Sequence, residues 1–365
     1  MGAHHPRLRR HCGLAWVRVK TGEAMFTRRG FLKSAAAAGA GLTLAGYEMR
    51  PAQAQATLLE RNKAVALRFK KAQGTPEEEA AMKEVLAPGY KRLRGGLHHL
   101  AANAQGQGFP GTGSFLRGAF PDRVDVIEEV IAEGDQVGML FRFTGTHRGN
   151  LFGIPPTGKK VDVHEIAVLR IADGKMVEGW FMADEAALLK QLGARMPERS
   201  NGKLVVPPVT HTGEDPDAVV KRLEAAPQAT LEDRQRLIVA RSKGAAPPKE
   251  LRAPGYRQLR NGFPHLREYG VARGAPDATV TLAFPDRRDR IDGFIAEKNS
   301  VWMRFKVAGT QTVNLYSIPP TGKVVEVAEI GTARFVDGKW AESWYFGDEL
   351  GMILQLGLSP NILVG

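Results

Sequence analysis

The sequence predicts an α+β protein built from two tandem copies of one domain. Two observations predict it: an internal repeat of long period, and, inside each repeat, helical segments followed by a run of strand-like ones. Ala119-Phe120-Pro121-Asp122-Arg123 returns as Ala283 to Arg287, and Ile154 to Lys159 returns as Ile318 to Lys323, at the same displacement. That displacement also carries Asp173-Gly174-Lys175 onto Asp337-Gly338-Lys339, Trp180 onto Trp344, Asp184 onto Asp348, and Gln191-Leu192-Gly193 onto Gln355-Leu356-Gly357. About half the positions from Ala119 to Gly193 are identical in the second copy without a gap. The interval is far too long for a solenoid unit, so the unit repeated is a whole domain. Each copy is long enough to bury a core of its own.

The elements follow in chain order. Residues 1–56 read as a leader, 57–196 as the first domain, 197–213 as a linker, and 214–365 as a second, degenerate domain. Inside the leader, Arg28 and Arg29 precede a short soft apolar run from Ala35 to Gly46 and an Ala-x-Ala end near Ala54 or Ala56. These are the parts of an export signal, and the paired arginines resemble a twin-arginine signal, which implies the twin-arginine export machinery as a partner and a periplasmic or secreted location. Met25, just before the motif, is an alternative start to Met1. The first domain then opens with a helix over Leu58–Lys71, where Leu58, Leu59, Ala66, Leu67 and Phe69 fall at helical spacing. Pro76 opens a second helix that ends near Ala87-Pro88. Strand lengths and alternation then mark Val124–Ala132, Gln136–Thr146, Val161–Ile171 and Lys175–Met182, separated by Gly- and Pro-bearing turns. A short helix from Glu185 to Leu192 closes the unit, and Gly95–Gly118 reads as irregular. In the second copy the first helix is placed at Leu231–Lys243, with the next shortened by the breaker-rich Gly244–Pro248.

Charge and cysteine content remove several function classes. The 365 residues carry a formal net charge of +12, but the leader alone holds nine Lys or Arg against Glu23 and Glu48, leaving a mild, scattered excess for the rest. No basic run is interleaved with aromatics, which argues against a nucleic-acid partner. The single cysteine, Cys12, lies in the leader, so disulfides, thiolate nucleophiles and cysteine-based zinc sites are not expected in the two domains. Neither a Gly-x-Ser-x-Gly elbow, a phosphate loop nor a His-Glu-x-x-His pattern occurs.

Six blocks carry a family resemblance: Ala119 to Asp122, Ile131 to Asp135, Gly145 to Lys159, Arg170 to Lys175, Glu178-x-Trp180-x-x-x-Asp184, and Leu188-Leu189-x-Gln191-Leu192-Gly193. In this order they resemble the SnoaL-like polyketide cyclases, also called ester cyclases, of the NTF2-like superfamily. The resemblance implies two cystatin-like cones, each with helices packed on a curved antiparallel sheet around an apolar cavity. It also implies a cofactor-free, metal-free cyclisation in which an aspartate removes an acidic α-proton. By matching, that aspartate is Asp184, with Asp348 as its second-copy equivalent. Two such cones are expected to pack sheet on sheet as an internal pseudo-dimer, so that the chain is a monomer or a low homo-oligomer.

The residues fit such a site. Alternation puts Trp180, Met182 and Asp184 on one strand face, where a desolvated carboxylate would gain proton affinity; Asp184 is also well placed to cap the Glu185 helix. His147 ends the strand that carries Phe141 and Phe143 on one face, and His164 lies on the face of Ile166 and Val168; either imidazole could orient a carbonyl or shuttle a proton, or simply be a hydrogen-bonded strand-end histidine. Tyr90, in an Ala-Pro-Gly-Tyr block repeated at Ala253–Tyr256, joins the candidate binding residues. A facial triad of His147, His164 and Asp184 on a metal is disfavoured. Glu165, which recurs as Glu329, points away from His164 and reads as a structural or interface carboxylate. In the second copy His147 becomes Gln311 and His164 becomes Ala328, while Trp344 and Asp348 persist. The first copy is therefore the expected active cone. The expected function is cyclase- or isomerase-type chemistry on a small apolar carbonyl compound, with hydrolysis or dehydration as variants; the alternative is a periplasmic small-molecule-binding protein.

Overall fold

A computed structural model of the chain describes residues 51–93, 96, 115–151, 154–193, 195–199, 212–244, 251–260, 280–315 and 318–361. The leader motif with Arg28 and Arg29 lies outside the described residues. Helix α1 (Pro51–Ala72) begins before the expected Leu58, and α2 spans Glu78–Val85. Strand β1 (Leu86–Leu93) follows at once. After the short α3 (Phe115–Ala119) come β2 (Val124–Glu133), β3 (Gln136–Thr146), β4 (Lys160–Ala172) and β5 (Lys175–Ala183), and then α4 (Glu185–Leu192). The four antiparallel strands match the expected bounds to within one residue at almost every end. Asp173 and Gly174 take positive φ in the two-residue turn between β4 and β5, as an Asp-Gly hairpin requires.

β1 was not expected as a strand. It contains Pro88 and Gly89, both poor strand residues, yet it pairs in parallel with β5, with a register break between Leu86 and Lys91. Gly89, at φ +76°, absorbs that break. The resulting sheet order is β1-β5-β4-β3-β2.

After β6 (Arg195–Arg199), the second copy adds α5 (Pro216–Ala225) before α6 (Leu231–Arg241). The chain continues through β7 (Arg252–Leu259), α7 (Val280–Ala283), β8 (Arg288–Glu297), β9 (Ser300–Thr310), β10 (Val324–Val336), β11 (Lys339–Gly347), α8 (Glu349–Gln355) and β12 (Leu358–Asn361). Its sheet order, β7-β11-β10-β9-β8, repeats the first. β6 pairs with β12, so the first residues of the expected linker form an edge strand against the C-terminal segment. Most of the breaker-rich stretch after Gly244 lies outside the described residues.

Each sheet is buried on both faces. In the first copy the concave face carries Met139, Phe141, Leu169 and Phe181, packed with Phe69 of α1 and Val85 of α2. The other face carries Ile131, Leu140, Ile166, Val168 and Met182, packed against Ile295, Trp302, Ile330 and Phe346 of the second copy. The two copies thus form the sheet-on-sheet pseudo-dimer, and its contacts obey an internal two-fold. The Ala132 amide donates to Glu297 and the Ala296 amide donates to Glu133, both at 2.8 Å. Lys63 of α1 pairs with Glu297, and Arg236 of α6 pairs with Glu133. One pair breaks the symmetry: Trp302 lies over Gly138, where a Cβ would sit 2.5 Å from the indole. Only glycine leaves room there.

Candidate functional site

In the first copy a cavity of about 220 Å³ opens between the helices and the sheet edge. Its apolar wall is Phe69, Met82, Leu86, Leu116 and Phe181, and its polar wall includes Lys70, Tyr90, Arg92, Arg117, Arg123 and Glu165. The fold brings these together because α1 lies across β2, β3 and β5, while β1 borders β5.

A buried charge network lines one side. Arg123 donates through Nε and Nη2 to Asp125 at 3.0 and 2.9 Å and reaches Glu165 at 3.4 Å. Lys70, only 4% exposed, sits 3.2 Å from Asp125 and donates to Gln73. Its ammonium lies 3.5 Å from the centroid of Phe141, and the Arg123 guanidinium lies 4.2 Å from that of Phe143. Burial, with Arg123 beside it, lowers the Lys70 pKa to about 7 against the pull of Glu165 and Asp125. Burial also lowers the Arg117 pKa, and Arg123 adds to that shift.

The expected site residues divide between two faces. Tyr90 lines the cavity, and Phe141 and Phe143 form the layer beneath its cations. Trp180, Met182 and His164 do not line it. The alternation was read correctly, but the face they share is the one that meets the second copy. Met182 packs in the inter-sheet layer, Trp180 lies under Arg304 with the guanidinium 3.7 Å from its ring, and His164 meets Trp344 edge-on at 4.3 Å and Glu128 at 3.4 Å. Burial lowers the His164 pKa, Glu128 and Asp162 opposing it. Conversely Glu165, read as a structural or interface carboxylate, faces the cavity.

His147 is fully buried beside Phe120, and its backbone and ring hold the turn before Lys159. The Thr157 amide donates to Nδ1 at 3.2 Å, which makes Nδ1 the acceptor and places the ring proton on Nε2. Burial lowers its pKa, so the imidazole stays neutral. Gln311 does the same work in the second copy: its Oε1 accepts from the Thr321 amide at 3.0 Å and hydroxyl at 2.7 Å. The His-to-Gln difference therefore preserves a turn clamp.

Asp184 is 6% exposed at the head of α4, where its amide donates to the His164 carbonyl at 3.0 Å. Asp348 caps α8 through the Gly351 amide at 2.8 Å, whereas the Asp184 carboxylate makes no such capping bond. Asp184 is not among the described lining residues; it faces the start of the opposite copy's helix. There burial first, and then Asp184 and Glu329, push Glu349 up to about 8, against Arg260. Among the described residues no group of three or more His, Cys, Asp or Glu is placed to hold a metal.

Lys70, Arg123, Asp125 and Glu165 were missed by sequence reasoning, although a signal existed: Arg123, Asp125 and Glu165 recur as Arg287, Asp289 and Glu329. The second copy rebuilds the network, with Lys243 pairing with Asp289 and lying over Phe305.

Comparisons with known proteins identify the family. The model of the family described as SnoaL-like polyketide cyclase matches residues 108–192 and again 274–356. The chain is 29% identical over 116 residues to aklanonic acid methyl ester cyclase DauD of Streptomyces sp. (strain C5), covering 31% of this chain and 71% of that protein. It is 30% identical over 104 residues to aklanonic acid methyl ester cyclase DnrD of Streptomyces peucetius, covering 28% of this chain and 72% of that protein. A solved structure described as a SnoaL-like polyketide cyclase from Jannaschia sp. CCS1 is 26% identical, matching 41% of this chain and 99% of its own, with a TM-score of 0.32. The chain belongs to the SnoaL-like polyketide cyclase family, and it carries the family's domain twice.

Proposed function

We propose that the first copy catalyses a cofactor-free cyclase- or isomerase-type reaction on a small carbonyl compound held in its cone. The carrying observation is that the copy whose cone holds a cavity lies in a family whose named relatives are ester cyclases. The chemistry needs a base that removes a proton from a carbon flanked by a carbonyl. The enolate then attacks a second carbonyl, one C–C bond forms, and the proton returns to the new alkoxide oxygen. We assign the base to Asp184, which holds the Trp-x-x-x-Asp position and is sheltered from solvent; because it stands outside the described lining, the assignment requires the guest to reach beyond that lining to the head of α4. One observation favours a second candidate: Glu165 is the carboxylate that lines the cavity.

Two variants decide between them. Asp184→Asn should lower turnover of an aromatic β-ketoester by about a hundred- to ten-thousand-fold while ligand retention persists. Full turnover in Asp184→Asn, with loss in Glu165→Gln, transfers the role to Glu165. Retention of ligand without turnover by the unaltered protein replaces catalysis with the binding role. His147, on this reading, supports the turn rather than the chemistry.

Export belongs to the same proposal. The paired arginines Arg28 and Arg29 and the Ala-x-Ala end support passage through the twin-arginine machinery to the periplasm or medium. The candidate cleavage sites at Ala54 and Ala56 lie within the first turns of α1, so processing would trim that helix. N-terminal sequencing of protein recovered from the periplasm tests this; a chain still beginning before residue 40 would refute it.

A further inference from the structure

The two cones place their cations differently where the cavity lies. Four cationic side chains, Lys70, Arg92, Arg117 and Arg123, line the cavity against two carboxylates, Glu78 and Glu165. Lys70 and Arg123 belong to the network common to both copies. Arg92 and Arg117 do not: the second copy has Gln258 and Thr281 at the matching sequence positions. The second copy has cations of its own, but they are placed differently: Arg252, at the position of Leu86, lies over Tyr256 and Trp340, and Arg260 is bound by Glu329 and Glu349.

These cations crowd one another. Lys70 and Arg123 share Asp125, and Arg123 weakens the proton affinity of both Lys70 and Arg117. Arg117 pairs with Glu78, and the Arg92 guanidinium lies 4.5 Å from the centroid of Phe181, over the apolar wall. A neutral guest would leave that like-charge repulsion in place. An anionic guest would relieve it, inside a partly dry cavity where charge interactions are strong.

We propose that the first cone selects a carbonyl compound that also bears a carboxylate, with its apolar body on Phe69, Met82 and Phe181 and its acid group against the wall of Lys70, Arg92 and Arg117. The proposal rests on the reading that this cavity is the substrate site, and it narrows the class from neutral carbonyl compounds to keto acids. Arg92 and Arg117 act as specificity-determining residues, and the second copy has lost both.

The test compares two probes of nearly the same shape, benzoylpropanoate and its primary amide, by calorimetric titration of the full chain. The unaltered protein should bind the carboxylate at least about tenfold more tightly than the amide. Arg92→Gln, at an exposed position, should reduce this preference severalfold, Arg92→Lys should restore most of it, and Arg92→Gln with Arg117→Thr should nearly abolish it. The preference should also shrink as pH rises through the Lys70 pKa of about 7, because the ammonium discharges. Equal or tighter binding of the amide would overturn the anion proposal and leave the cavity reading intact. Failure of both probes to bind would overturn both. A preference unchanged in the double variant would show that the anion is held elsewhere.

Discussion

The two cones share a scaffold and differ in what fills them. In the first, Ile171, Met176 and Phe181 line the interior beside a cavity of about 220 Å³. At the matching positions the second has Phe335, Trp340 and Tyr345, and the Trp340 ring stacks on Phe335 at 6.4 Å and meets Tyr256 edge-on at 5.6 Å. The tyrosine hydroxyls tell the same story. Tyr256 exchanges a 2.6 Å hydrogen bond with Ser343, whereas Tyr90 faces Gly179, finds no hydrogen-bond partner among the described residues, and is pushed up to about 12 by burial. Around the matching tyrosines, one copy keeps a hollow and an unpartnered hydroxyl, while the other fills the space with larger rings and pairs the hydroxyl. Unsatisfied polar groups around a hollow are what a ligand site retains and a structural core removes.

The largest expected effect tests the common scaffold. Trp302→Ala removes the fully buried ring that fills the space over Gly138 between the sheets, and should cost about 3–5 kcal/mol in denaturant unfolding. A cost below about 1 kcal/mol would show that the copies are not held by this layer. Next, Trp340→Met gives the second cone the first cone's residue. It should lose roughly 2–3 kcal/mol and open a void that binds acetophenone at a second site; a stoichiometry that stays at one would show that other side chains close the cone.

Exchanging the residues under the tyrosines sharpens the contrast. Gly179→Ser places a Cβ 2.5 Å from the Tyr90 hydroxyl and 2.8 Å from Phe181, and should destabilise by about 1–3 kcal/mol while shrinking the cavity. Ser343→Gly removes the partner of Tyr256 and should cost about 1 kcal/mol without touching ligand binding. Smaller again, His147→Gln installs the second copy's clamp. Thermal unfolding should change by less than about 1 kcal/mol, with turnover intact; loss of turnover in a stably folded variant would return His147 to the chemistry.

The last comparison is by pH. Glu349 has a folded pKa raised to about 8, so its contribution to stability is complete below its ordinary value of 4.5, declines progressively above it, and is gone once pH has risen through about 8. Glu349→Gln should therefore flatten the fall in melting temperature between the residue's ordinary value of 4.5 and about pH 8. An unchanged fall would mean that Glu349 is already ionised in the folded protein.

Much of this architecture was legible because repetition filters noise. Strands β2 to β5 declared themselves by turns such as Asp173-Gly174, and identical blocks fixed both the family and the pairing of the copies. Two things stayed hidden for physical reasons. β1 carries Pro88 and Gly89, and it forms only because β5 offers a parallel edge, which no local pattern reveals. The assignment of faces failed because the sheet is covered on both sides: Glu165 to Leu169 are all buried, so alternation sorted the residues without saying which set meets the helices. That ambiguity sent Trp180, Met182 and His164 to the cavity in expectation and to the inter-sheet layer in fact, and it concealed Glu165. The repeat could have corrected it, since Arg123, Asp125 and Glu165 persist together while His147 and His164 do not.

The most direct test of the account is a crystal structure of the protein with bound acetophenone. The ketone should lie in the first cone, against Phe69, Met82 and Phe181, with the second cone closed by Trp340 and Tyr345. Acetophenone seated instead among Trp340, Tyr345 and Tyr256, with the first cone empty, would contradict the claim that function resides in the open copy.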